Sequence, residues 1–562
     1  MASKSIATNF LWKFAERITA QLVSFVVSLV LARLLYPDDY GVVALVLVFI
    51  EIANVLVSAG LGSALIQKKD ADELDFSSVL YFNIGFSIVL YAALFFASPL
   101  IASFYSKNVL IPVIRVFGIR ILFASVNSVQ QAYVSKQMQF KKFFWATFIG
   151  TVVSGAIGIA LAYKGFGVWA LVAQYLINTT VDTIILSFVI KWRPKLAYSW
   201  KRVGSLFKFG WKILFEGVAN TVSVQIRNLI IGKAYTESDL GYYTKAQQFP
   251  QLIMTNINAS VSAVLFPAMS NVQEDNKKVV LLTRKAVKVS SYILFPMLFG
   301  IAAVATNLVS VLLTEKWINC VPYLYVFCFS YFVTVGMYAR HEALKAKGRS
   351  DVYMIEHMLS RIINLVVLFL VYRISVMAIA LSGIGGNLLL ALIIMFTSKK
   401  FTGYAYRDQI KDVADILLMS SFMFAVVFSF GYFLSINPLV ELIIQILLGM
   451  FIYLTFSAIF KPEGYIFVLR FIKRLLFKNT SSDVVSYEHT KITFVLTLVV
   501  SLIPCCFIRF LPLKFSWVFL TQLLAYILTF IFLSFFTKCH YFRWLGMYID
   551  KTLKEYDRFM EE

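Results

Sequence analysis

Lys13, Arg17, Gln21, Ser24 and Ser28 recur at steps of three and four residues, and so do Lys212, Glu216, Asn220, Ser223 and Arg227. That spacing places each set on one face of an α-helix. The chemistry open to such a stripe is recognition rather than bond making. A guanidinium binds phosphate oxygens through its planar fork, and amides and hydroxyls between the cations hydrogen-bond sugar hydroxyls. Both stripes interrupt apolar runs, where a charge is costly unless it meets a partner or water, so they are expected to face a hydrated cavity or each other. Lys13 and Lys212 are expected to snorkel to an interface. Arg17 and Arg227 lie deeper, and are predicted to bind a diphosphate from opposite lobes; an ion pair that only joins helices is the structural alternative.

The following run in each half repeats the pattern. Glu51 matches Gln251 and Ser58 matches Asn258, and the second copy adds Lys245, Gln247, Gln248, Asn256, Pro250 and Pro267. The prolines predict kinks, either static or bending during a transport cycle. Arg115, Arg120, Asp182, Arg340, His357 and Arg361 complete the costly groups, with Arg340 expected at an interface and Asp182 expected to pair within its own bundle. The candidate substrate-binding set is Arg17, Gln21, Glu51, Arg115, Arg120, Glu216, Asn220, Arg227, Lys245, Gln251 and Asn258. Gly150, Ser154 and Gly158 have the spacing of close helix packing and carry no functional weight. The five cysteines form no CxxC pair and have no His at ligand spacing, so neither a metal site nor a disulfide framework is expected. No GxxxxGK[ST] sequence is present, which argues against ATP hydrolysis, and no catalytic constellation or cofactor is expected.

The elements that must position these residues follow from composition. Of 562 residues, 60% are hydrophobic and 15% charged, more apolar surface than a water-soluble fold of this length hides. The solvent for most of the chain is therefore lipid. No short apolar core followed by a small-residue cleavage site marks the start, so the first run is expected to remain as a span. The formal charge of +22 is spread over short clusters between apolar runs, a pattern for anionic lipid and cytoplasm and not for nucleic acid. With about 20 apolar residues needed per helix, windows from 10–35 to 438–460 give about fourteen spans, and 491–511 and 515–537 bring the total to about sixteen.

Alternate connections are rich in cations: Lys68 and Lys69; Lys136, Lys141 and Lys142; Lys191, Arg193, Lys195, Lys201 and Arg202; Lys277, Lys278, Arg284 and Lys285; Lys345, Lys347 and Arg349; Lys399, Lys400, Arg407 and Lys411. The positive-inside rule makes this set cytoplasmic and places both termini inside. Residues 464–478 set Arg470, Lys473, Arg474 and Lys478 beside a bulky apolar face, an amphipathic helix for the cytoplasmic leaflet.

The two halves match at a separation near 200 residues. Trp12-Lys13 corresponds to Trp211-Lys212; Arg33, Asp39 and Gly41 correspond to Lys233, Asp239 and Gly241; Pro112 pairs with Pro322, Lys136 with Lys345, and Val168–Leu171 with Ala378–Leu381. A unit of six spans, an even number, repeats in parallel. The expected fold is an all-α polytopic membrane protein with two parallel six-helix lobes around a central cavity and extra C-terminal helices. The expected segments are a lobe at 1–190, a cytoplasmic linker at 191–208, a lobe at 209–400, two further spans at 401–460, an amphipathic helix and linker at 461–490, and two extra spans with a cytoplasmic tail at 491–562.

Over about residues 1–460 the chain resembles the polysaccharide transport branch of the multidrug/oligosaccharidyl-lipid/polysaccharide exporter superfamily, which contains the Wzx-type flippases. The resemblance is carried by the opening TNFLWKFAERITAQLVSFVVSLVLARLLYPDDYGVVALVLVF, by SAGLGSALIQ at 58–67, by GFGVWALVAQ at 165–174 and by SDLGYYTKAQQFPQL at 238–252. It implies fourteen helices, alternating access, a bacterial inner-membrane location, and export of polyprenyl-diphosphate-linked repeat units for O-antigen, capsule or exopolysaccharide. The implied partners are that lipid-linked oligosaccharide and membrane lipids, with a coupling cation left open. Two other readings stay open: a cation-coupled multidrug or lipid exporter of the same superfamily, which would want more intramembrane carboxylates than Glu16, Glu51, Asp182 and Glu216, and a membrane-embedded glycosyltransferase or polymerase, which would want a large outer loop.

Overall fold

The computed structural model describes residues 21–433 and 437–476. Lys13, Arg17, the Trp12-Lys13 match and the two extra spans expected after residue 490 lie outside the described residues. Within them all regular structure is helical. The helices are α1 (Gln21–Leu34), α2 (Pro37–Gln67), α3 (Glu73–Tyr105), α4 (Leu110–Lys136), α5 (Phe140–Tyr163), α6 (Val168–Val189), α7 (Trp200–Ala234), α8 (Glu237–Ser270) and α9 (Asn276–Ala303). Then come α10 (Ala305–Leu312), a 3₁₀ turn (Glu315–Cys320), α11 (Val321–Thr334), α12 (Met337–Ala346), α13 (Ser350–Val371), α14 (Val376–Thr402), α15 (Tyr406–Phe433), α16 (Pro438–Phe460) and α17 (Glu463–Leu476).

Twelve of the described helical stretches are long and apolar enough to cross a membrane. They leave Phe96, Leu100, Leu370 and Phe451 more than two-thirds exposed, large side chains that need lipid as their solvent. The chain is an all-α, multi-pass membrane protein. Helix α7 is outside the twelve because Lys208, Lys212, Glu216, Arg227 and Lys233 break its apolar run. Several helices outrun their apolar windows, since a capped polar turn prolongs a helix beyond the hydrocarbon. Asp275 accepts from the Lys278 amide (3.1 Å) and starts α9 in the polar, cation-rich stretch that holds Lys277, Lys278, Arg284 and Lys285. Asp72 and Asp75 form a reciprocal capping box at the head of α3, with bonds of 2.9 and 3.1 Å. The apolar run from α11 into α12 is broken at Gly336, whose φ of +79° is a left-handed conformation that favours glycine. Helix α8 runs on through both Pro250 and Pro267.

The chain forms two compact units. The first comprises the described residues of Met1–Thr255, with Ala305–Thr334 and Asp351–Ile393. One of its cores gathers Leu61, Leu65, Phe76, Val79, Val129, Leu186, Trp192 and Leu206 from α2, α3, α4, α6, the linker and α7. Within this unit the repeat-matched glycines meet: a Cβ on Gly41 would overlap the Glu237 carbonyl, and one on Gly241 would overlap the Pro37 carbonyl. The heads of α2 and α8 therefore touch backbone to backbone.

The second unit comprises Asn256–Val304, Val335–Ser350 and the described residues from Ile394 onward. Its core includes Leu265, Met269, Val279, Val287, Ala339, Ala343 and Tyr404. Asp412 is its charge centre, bound by Arg284 at 2.8 Å and by the Tyr404 hydroxyl at 2.7 Å. Arg340 is buried here with its guanidinium 5.9 Å from the Tyr404 ring. The apolar face of α17 is not free to meet lipid throughout: Tyr465, Ile466 and Leu469 are buried, and Gly464 approaches Tyr292 of α9.

Candidate functional site

A cavity of about 310 Å³ opens inside the first unit, walled by α7, α8, α11, α13 and α14. The stripe of α7 supplies Asn220, Ser223 and Arg227, as its helical spacing requires, and α8 supplies Tyr243, Gln247 and Gln251. Helix α13 adds Ser360, Arg361 and Asn364, while α11 and α14 add Ser330, Tyr331 and Asn387. The lining holds two guanidinium groups and no carboxylate.

Arg227 Nη2 donates to Asn364 Oδ1 at 3.0 Å. Its Nε is buried and has no hydrogen-bond partner among the described residues. A buried, unsatisfied donor on a charged group is costly, so this atom is a position where a ligand acceptor would be stabilising. Arg361 Nη2 donates to Asn220 Oδ1 at 3.2 Å and approaches Glu216 Oε1 at 3.4 Å. The Glu216 side chain is 69% exposed and is not part of the lining. Asn364 can reach Arg227 because α14 carries a glycine there, and a Cβ on Gly386 would overlap the Asn364 amide. Asn387 donates to Ser330 Oγ at 3.0 Å, and Gln247 approaches the Tyr331 hydroxyl at 3.5 Å. The arrangement can bind an anion together with several hydroxyls, and it contains no nucleophile–base pair.

The structure brings four of the sequence-selected residues to this place: Arg227, Asn220 and Gln251 in the wall, and Glu216 beside it. Arg115 is elsewhere, donating to Ser98 Oγ at 3.1 Å with its guanidinium 4.2 Å from the Phe95 ring. Arg120 donates to Thr179 Oγ1 at 3.0 Å and to Glu51 Oε1 at 3.4 Å, so Glu51 and Arg120 serve each other. Lys245 is buried between repeat copies, bound to Ser28 Oγ at 2.7 Å and lying 4.9 Å from the Tyr40 ring. Gln21 is half-buried in α1 and outside the cavity wall. Asn258 is buried in the second unit. Asp182 accepts from Asn127 at 3.0 Å, both residues belonging to the first half of the chain.

Arg361 and Asn364 were not in the candidate set. Their signal was the one that identified α7, since His357, Arg361 and Asn364 recur at steps of four and three along an otherwise apolar helix. Tyr243, Ser330 and Asn387 had no comparable signal, because a single polar residue in an apolar run does not show which way it faces.

A family described as polysaccharide biosynthesis protein matches residues 30–322, more than half of the chain. Succinoglycan biosynthesis transport protein ExoT of Rhizobium meliloti is 26% identical over 323 residues, 57% of this chain and 65% of that protein. Lipopolysaccharide biosynthesis protein WzxC of Escherichia coli is 26% identical over 307 residues, 53% of this chain and 61% of that one. The match therefore spans less than two thirds of each relative. Among solved structures, the inward closed conformation of lipid II flippase MurJ superposes with a TM-score of 0.67 at 16% identity, over 81% of this chain and 98% of that chain. At that identity the likeness is one of fold.

Proposed function

We propose that this chain, which belongs to the polysaccharide biosynthesis protein family, is a flippase that carries a polyprenyl-diphosphate-linked oligosaccharide across a bacterial inner membrane. The observation that carries this reading is the cavity inside the first unit, where Arg227 and Arg361 stand among Asn220, Gln247, Gln251, Asn364 and Asn387. Guanidinium groups suit an anionic head group, and amides suit sugar hydroxyls. The names of ExoT and of MurJ, which refer to transport and to flipping of a lipid, support the same class of activity. The head group places a sugar in such a cavity while the polyprenyl chain stays in lipid, and alternating access carries it to the other face. Both termini are cytoplasmic, and the chain moves its substrate without cleaving or extending it. Direction comes from a gradient or from consumption of the product outside.

The test is transport by the purified full chain in proteoliposomes that carry a fluorescent polyprenyl-diphosphate oligosaccharide in the inner leaflet. Protein-dependent appearance of unchanged substrate in the outer leaflet is expected. Its absence, or conversion of the substrate to hydrolysed or polymerised product, would overturn the proposal.

A further inference from the structure

The charge inside the cavity is not evenly shared. Arg361 already faces a carboxylate, Glu216, at 3.4 Å. Arg227 has no carboxylate within ion-pair distance among the described residues, and its Nε is buried without a partner. The wall thus carries close to one uncompensated positive charge, which matches a single carboxylate. The volume sets a second limit. At about 310 Å³ the cavity lies at the lower end of the range of about 300–1,000 Å³ typical of small-molecule pockets, room for one sugar ring and not for a repeat unit of several. The amide of Gln251 and the rings of Tyr243 and Tyr331 offer a ring hydrogen-bonding and stacking partners.

We propose that the cavity takes one acidic sugar of the repeat unit, with its carboxylate on Arg227 and its hydroxyls on the surrounding amides, so that the chain selects lipid-linked oligosaccharides carrying a uronic acid. This rests on the transport reading above. Arg227 is the specificity-determining residue, because it lines the cavity with no carboxylate at ion-pair distance among the described residues, whereas Arg361 faces Glu216. Two oxygens of a planar carboxylate can engage that fork, whereas a primary alcohol at the same carbon offers a single neutral partner.

The experiment compares two polyprenyl-diphosphate disaccharides in proteoliposomes, one ending in glucuronate and one in glucose. Wild-type protein is expected to flip the glucuronate donor about tenfold faster, the effect of one charge-assisted contact. Arg227→Gln should bring that ratio to about twofold or less, and Arg227→Lys, which keeps the charge without the planar fork, should leave it between the two. Equal rates for the two donors in wild type would overturn the inference, and that comparison needs no variant to fold. A preference that survives in Arg227→Gln would also overturn it, as would an equal slowing of both donors, which would return Arg227 to the diphosphate. If wild type flips neither donor, the transport reading fails and the inference with it.

Discussion

Gly60 and Gly210 meet backbone to backbone where α2 crosses α7: a Cβ on Gly60 would lie 2.8 Å from the Gly210 carbonyl oxygen, and one on Gly210 2.6 Å from that of Gly60. Neither helix can keep this approach with a larger residue at the crossing. Gly210→Ala is expected to cost about 1–3 kcal/mol, as overpacking does, and to lower the thermal midpoint in detergent. Gly62→Ala, in the same helix with open space at its Cβ, should be neutral or stabilising by up to about 1 kcal/mol. Equal midpoints for the two variants would show that the crossing does not constrain the fold.

Arg227 and Asn364 act as a unit, joined at 3.0 Å. Arg227→Ala should slow flipping of a glucuronate-bearing donor by roughly tenfold or more, the loss of one charge-assisted contact of about 1.5–3 kcal/mol. Asn364→Ala should slow it less. The double variant should be no slower than Arg227→Ala alone, because the amide has nothing to orient once the guanidinium is gone. Rates measured at matched protein content test this, and additive losses would show that the two side chains act independently.

Gly386 sets the position of Asn364, since a Cβ there would overlap the amide. Gly386→Ala is expected to reproduce the transport defect of Asn364→Ala although it removes no polar group. Gly385→Ala, with nothing within 4 Å of its Cβ, is the control. Normal transport in Gly386→Ala would mean that Asn364 can shift without consequence.

The segment between α6 and α7 is strapped to the head of α3. Arg202 lies 3.3 Å from Asp72 and 3.3 Å from Asp75, and Lys195 lies 2.5 Å from Glu73. The Asp75 amide, and then the charge of Arg202, hold the Asp72 carboxyl below its ordinary range. For a depressed carboxyl, the stabilisation is fully present above the unfolded value of about 3.9 and is lost as pH falls through the folded one. The protection factor for hydrogen exchange across 191–203, the slowing relative to the intrinsic rate at each pH, should therefore be flat above about pH 5 and fall only in stronger acid. A protection factor that already falls near pH 6 would show that these contacts do not hold the strap.

Orientation has its own test. Reporter fusions after residue 200 are expected to report cytoplasm, because this connection carries Lys191, Arg193, Lys195, Lys201 and Arg202. An extracytoplasmic signal would invert the whole assignment.

The sequence by itself determined the solvent, the element type and the polar stripe of α7. Apolar runs of about 20 residues can satisfy their backbone in lipid only as helices, and the steps of three and four from Lys212 to Arg227 leave one helical face for them. The match of Gly41 with Gly241 was legible for the same reason, since the repeat preserves order and spacing, but their reciprocal approach was not. Which helices surround a stripe depends on packing between segments far apart in the chain, and no local pattern encodes it. Thus Arg115, Arg120 and Lys245 had the same signal as Arg227, a cation in an apolar run. Only the tertiary structure separates them: it gives Arg120 to Glu51 and Thr179 and buries Lys245 against Ser28, while placing Arg227 in the cavity wall with a buried donor that no described residue satisfies. A charge in lipid must find a partner, and whether that partner is a neighbouring side chain or a ligand is decided by which helix the fold sets against it.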